Sequence, residues 1–169
     1  MSFEEDRSYR LTMARAVATR FIATYKLVPP IDVERFCIEV AGLHVYYDEM
    51  EDEFCAILRR DLMAILVNQK HPRVRQRFSI AHELGHWYLH RDEAVMAERT
   101  ATLKTINKLL DEEANSFAAE FLMPSRFVRA QVRLGMVNLD TLARYFEVSR
   151  EAMWYQLNHL RLASKISSM

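Results

Sequence analysis

Glycine and proline are scarce in this 169-residue chain, with only 3 and 4 of each. So little turn chemistry argues against a turn-rich all-β fold and favours helices joined by short connections. Cysteine is limited to Cys37 and Cys55. Two are too few for a disulfide-stapled secreted scaffold and are expected as free thiols in a reducing compartment. No apolar run approaches the roughly 18 residues that a membrane-spanning helix requires, so no membrane partner is expected. An excess of one charge is also missing. The 23 Lys/Arg balance 23 Asp/Glu, which leaves no global basic field to recruit nucleic acid. The opening Met-Ser-Phe-Glu-Glu-Asp-Arg is acidic and lacks an apolar stretch, so a secretory signal is not expected and the chain reads as cytoplasmic. Half of the residues are apolar and 27% are charged, the balance of one globular domain with a real core.

Apolar side chains at Leu11, Ala14, Val17, Ala18, Phe21 and Ile22 predict a helix over about 4–26. Pro29-Pro30 stops it, and Asp32 can cap a second helix over about 33–41 that closes at Gly42. Three short strands follow at Leu43–Tyr47, Phe54–Leu58 and Leu62–Val67. The first two are separated by Asp48-Glu49-Met50-Glu51-Asp52-Glu53, read as a solvated loop. From Arg73 onward the pattern is helical: about 73–90, a polar loop over 91–105, then about 107–122, 125–134, 139–146 and 150–162. Ser149 is an N-cap for the last helix, and Asp140 caps or opens the one before it. The order of elements predicts an α+β fold, mostly helical with a small three-stranded sheet.

The most informative stretch is His82-Glu83-Leu84-Gly85-His86. On a helix the two histidines lie one above the other, so both imidazoles can reach one Zn²⁺. Glu83 beside the first can act as general base on water, which makes the segment a zincin-like active-site helix. A shuffled chain of this composition would show the pattern in roughly 2% of cases, so coincidence is a poor explanation. A catalytic zinc needs a third protein ligand. His90 lies about 12 Å along the axis from His82, too far to share an ion, and is read as closing the helix C-terminus. His44 and His71 lack ligand spacing.

The better source is Leu110-Asp111-Glu112-Glu113-Ala114-Asn115-Ser116-Phe117-Ala118-Ala119-Glu120-Phe121. Its apolar face, Leu110, Ala114, Phe117, Ala118 and Phe121, turns inward. Asp111 and Glu113 flank that stripe on opposite sides, whereas Glu112 points away. The wheel leaves either Asp111 or Glu113 as ligand. Small Ala114 and Ala118 would let this helix approach the His82–His86 helix closely.

The run Arg75-Gln76-Arg77-Phe78-Ser79-Ile80-Ala81-His82-Glu83-Leu84-Gly85-His86, with Leu89-His90 after it, resembles the ImmA/IrrE family of zinc metallo-endopeptidases. So does Ala114-Asn115 followed by Phe117-Ala118-Ala119 and Leu122-Met123-Pro124, and the stretch Pro30-Ile31-Asp32-Val33 leading to Gly42. The resemblance implies a ligand four residues before the Asn, which is Asp111 here; the family commonly has Glu at that place. It therefore favours Asp111, with Glu113 as the alternative. Asn115 is then placed to hydrogen-bond a ligating histidine. Cys55 stands where the family commonly has Gly, and is read as a small buried residue rather than an inhibitory thiolate ligand. The resemblance further implies a peptidase that cuts a helix-turn-helix transcriptional repressor.

Residues 125–169 form a separate expectation, a helical segment packed on a metallopeptidase core over 1–124. Leu139–Leu157 reads like a helix-turn-helix, and 125–169 holds seven basic residues against three acids. The exposed side of its second helix is expected to show Met153, Trp154 and Tyr155, which suits packing or protein contact better than phosphates. Direct DNA binding, or a regulator with a structural or idle zinc site, is the alternative to an enzyme.

Overall fold

The structure is a computed structural model that describes residues 2–91 and 103–167. The fold is α+β, with a three-stranded mixed sheet and the rest mainly helices. Helix α1, Phe3–Thr24, opens on a capping box in which Ser2 and Glu5 satisfy each other's backbone N–H. Its six predicted apolar residues are buried or half-buried, with Ala14, Ala18 and Ile22 the deepest. The helix closes before the prolines, because Lys26 turns left-handed (φ 52°) and Leu27 N–H reaches back to Ile22 O. Helix α2, Val33–Phe36, is capped by Asp32, continues as a π turn over Cys37–Ala41, and ends at left-handed Gly42.

Strands β1 (His44–Asp48), β2 (Ala56–Arg59) and β3 (Ala64–Asn68) lie in the order β1-β3-β2. β3 runs parallel to β1 and antiparallel to β2, which leaves β2 on an edge. Central β3 is the buried strand and supplies Ile65 and Val67 to the core. Asn68 at its end is buried. Its amide donates to the carbonyls of Met50, Glu51 and Phe54, and its oxygen accepts Lys70 N–H.

Helices α3 (Arg73–Leu89) and α4 (Leu103–Leu122) form the most extensive contact in the fold, and α1 packs on the other side of α4. At the α3–α4 crossing, Gly85 faces Ala114. A methyl on Gly85 would come within 3.1 Å of Ala114 Cα and 3.2 Å of its carbonyl oxygen. The expected role of Ala114 as a close-approach residue is therefore realised, with Gly85 as its partner. The polar loop expected at 91–105 falls mostly on residues outside those described, and α4 begins earlier than the sequence pattern indicated.

Helices α5 (Ser125–Arg133), α6 (Leu139–Phe146) and α7 (Arg150–His159) complete the chain. Ser149 caps α7 as expected. Asn138, not Asp140, caps α6, while Asp140 sits in its first turn. Two buried polar residues tie this region to the rest. Arg77 of α3 donates to Glu147 O and Ile31 O, and Gln156 of α7 donates to Met123 O and to Glu120. One expectation for α7 is corrected: Met153 is fully buried, and the exposed aromatics are Trp154 and Tyr155. Met153 and Leu157, four residues apart, share the core-facing side of α7, and Val148 in the turn before it is buried with them.

Candidate metal centre

α3 presents His82 and His86 toward α4 and Glu83 toward Leu58 of β2 and the cleft, and α4 presents Asp111 and Asn115 back across the gap held narrow by Gly85 and Ala114. The Nε2 atoms of His82 and His86 are 3.0 Å apart. Asp111 Oδ1 lies 3.4 Å from His86 Nε2 and 3.9 Å from His82 Nε2. A tetrahedral ion with donors at about 2.0–2.1 Å spaces its ligand atoms about 3.3 Å apart. The three separations bracket that value, so this donor set fits a divalent metal of zinc's size. His82, His86 and Asp111 are the group among the described residues that meets this test.

The Nδ1 edge of each ligating ring is held by a polar partner on the side away from the site. His82 Nδ1 lies 2.9 Å from Asn115 Oδ1, an acceptor, so the proton sits on Nδ1 and Nε2 keeps its lone pair. His86 Nδ1 lies 2.8 Å from His90 Nδ1, and His90 Nε2 lies 2.7 Å from Glu113 Oε2. Glu113 in turn accepts from the Arg10 guanidinium of α1. Burial, together with the neighbouring His82, His90 and Arg60, drives the His86 pKa down to about 3, and burial also lowers that of His82. Burial therefore favours the uncharged form of both rings, the form that ligates.

Glu83 is held differently. Burial, and secondarily the charge of Asp111, push its carboxyl up to about 7, although the Leu58 backbone N–H and Arg60 pull the other way. A carboxyl near neutrality can both take and return a proton. It borders a cleft of about 390 Å³ shared with His82 and Asn115 and walled by Phe54, Cys55, Arg75 and Phe78. Cys55 is half-buried there, its Sγ 3.1 Å from Arg75 Nη2, and stands outside the metal-capable group. A larger cleft of about 740 Å³ lies between the start of α3 and α6. Three of its arginines are already engaged, Arg73 by Glu34, Arg77 by backbone carbonyls and Arg150 by Asp140, so it is less suited to bind a ligand.

The expected residues separate cleanly. Asp111 reaches the histidine pair. Glu113, the alternative, is buried behind His90 on the opposite flank. Glu112, expected to point away, is half-buried against α1, where it pairs with Arg7. The reading of His90 as a helix terminator is half right. Its backbone N–H does close α3 on His86 O, but its ring is buried between His86 and Glu113. Arg10 and Arg60 had no sequence signal. Arg60 donates to His86 O and lies over Trp87, bracing the end of α3.

A histidine pair and a glutamate on one helix, faced by a carboxylate from the next and flanked by a sheet edge, is the plan of metallopeptidases built on the H-E-x-x-H helix. The comparison with known families agrees. The chain belongs to the peptidase M78 family, whose IrrE N-terminal-like domain model matches residues 38–158. Among solved structures, one described as a Mycobacterium tuberculosis transcriptional regulator matches with a TM-score of 0.70 at 22% identity. The match covers 94% of this chain and 52% of that one, so this chain spans about half the length of that protein and shares its fold. No curated protein matches the chain.

Proposed function

We propose that this protein is a zinc-dependent endopeptidase whose substrate is a helix-turn-helix transcriptional repressor. The observation that carries the reading is the convergence of His82 Nε2, His86 Nε2 and Asp111 Oδ1 beside Glu83 in an open cleft. His82, His86 and Asp111 would hold the metal. Zinc, when bound, lowers the pKa of water toward neutrality and polarises a carbonyl. Glu83 takes the proton from the attacking water and hands it to the leaving amine, a double duty suited to a carboxyl titrating at about 7. Asn115 and His90 keep the ligating rings oriented through their Nδ1 atoms.

The substrate class rests on the family's motif blocks and on the fold shared with a protein described as a transcriptional regulator. Cleavage of one repressor at one or few bonds is expected, and casein should be a poor substrate. A second reading, a DNA- or protein-binding regulator with a structural metal, is favoured by that same description and by the exposed Trp154 and Tyr155 on α7.

The deciding experiment measures metal content and repressor cleavage for wild type, His86→Ala, Asp111→Ala and Glu83→Gln. About one zinc per chain, lost in the first two variants, is expected. Glu83→Gln should keep its zinc and lose cleavage. A Glu83→Gln protein that still silences or releases its target genes as wild type does would favour the regulator.

A further inference from the structure

We infer that helix α1 is part of the metal centre: Arg10, acting through Glu113 and His90, fixes the orientation of the His86 ring. The inference rests on the reading of His82, His86 and Asp111 as a metal site, and it concerns residues that do not touch the metal.

Glu113 Oε2 lies 2.7 Å from His90 Nε2, and His90 Nδ1 lies 2.8 Å from His86 Nδ1. The His86 ring is thereby held by its Nδ1 edge, on the side away from the site, and its Nε2 faces His82 Nε2 and Asp111 Oδ1. A ring released from His90 could turn about its Cβ–Cγ bond and carry Nε2 away from the other two donors.

Every link depends on where Glu113 stands, and Glu113 is 5% exposed on a helix flank that faces α1. A buried carboxylate needs strong partners to stay put. Arg10 supplies them through both Nε and Nη2. Arg7 pairs with Glu112 and Arg15 with Glu120 along the same helix contact, so Arg10 is one of a row of arginines that α1 presents to α4. The support therefore comes from residues 3–24, outside the 38–158 segment that the family model matches. Arg10 and Glu113 are positioning residues in this scheme.

The test uses the full chain and readouts that do not need catalysis. Competition against a chromophoric chelator reports zinc affinity, and urea denaturation of the zinc-free protein reports folding. Arg10→Gln and Glu113→Gln should each weaken zinc binding by about tenfold to a hundredfold. Arg10→Lys, which keeps the charge but not the planar fork, should fall between them and wild type. Arg7→Gln, which breaks the neighbouring pair and leaves the relay intact, should bind zinc within about twofold of wild type. Equal zinc affinity in wild type, Arg10→Gln and Glu113→Gln would overturn the inference, as would a loss in Arg7→Gln as large as in Arg10→Gln. A wild type that takes up no zinc would instead refute the metal reading itself.

Discussion

Gly85→Ala tests the geometry of the site more directly than removing a ligand does. Alanine is the better helix former by about 1 kcal/mol, so in an open helix the substitution would stabilise. Here the new methyl meets Ala114 Cα at 3.1 Å, Ala114 O at 3.2 Å and Phe117 Cδ1 at 3.3 Å. Two of those atoms are backbone and have no rotamer to escape into. Carbon atoms rest at about 3.5–4.0 Å, so α3 and α4 must separate by about half an ångström. Overpacking of that kind costs about 1–3 kcal/mol. The net expectation is a loss of about 1 kcal/mol, or about 2–4 °C in Tm for a chain of this size. The separation also moves Asp111 relative to His82 and His86, and metal–ligand bond lengths tolerate only about 0.2 Å. Zinc affinity should therefore fall by about tenfold or more. Urea denaturation and chelator competition on the same preparation measure both effects. A variant more stable than wild type by about 1 kcal/mol, with unchanged zinc affinity, would refute the close approach and the reasoning built on it.

Phe117→Ala should cost about 3–5 kcal/mol, since the ring is fully buried, stacks on Phe121 at 5.6 Å and meets Phe21 edge-on; a loss under about 1 kcal/mol by urea denaturation would contradict its central place. Thiol titration of the native protein should find one fast cysteine, Cys55, because Cys37 is fully buried and its thiol is pushed up to about 12. Two fast thiols before unfolding would show that the π turn opens readily.

Local periodicity carried most of the fold. The helices at Arg73–Leu89 and Leu103–Leu122 follow from a 3.6-residue apolar repeat, and the three strands fall within about two residues of the expected spans. The sheet order was not legible, since placing β3 between β1 and β2 depends on non-local pairing that no short window contains. The same limit explains the site. A helical wheel puts Asp111 and Glu113 on two flanks of one stripe. Only the location of His90 and of α1 decides which flank meets the histidines. Met153 differs for a local reason: it stands four residues before core Leu157 and shares its face, whereas Trp154 and Tyr155 lie further round the helix. Arg10 illustrates the extreme case, its partner lying 103 residues away.

Asn68 has a consequence for how a peptide meets the cleft. Residues 48–53 carry five acids in six positions and, left alone, would repel one another into an extended ensemble. The Asn68 amide gathers the carbonyls of Met50, Glu51 and Phe54 instead, so the segment leading to Phe54 and Cys55 is held in one shape against the end of β3. That wall of the cleft is already ordered when a chain arrives. A peptide docking along it, as the proposed activity requires, would forfeit conformational freedom of its own alone, and the saved entropy would appear as affinity.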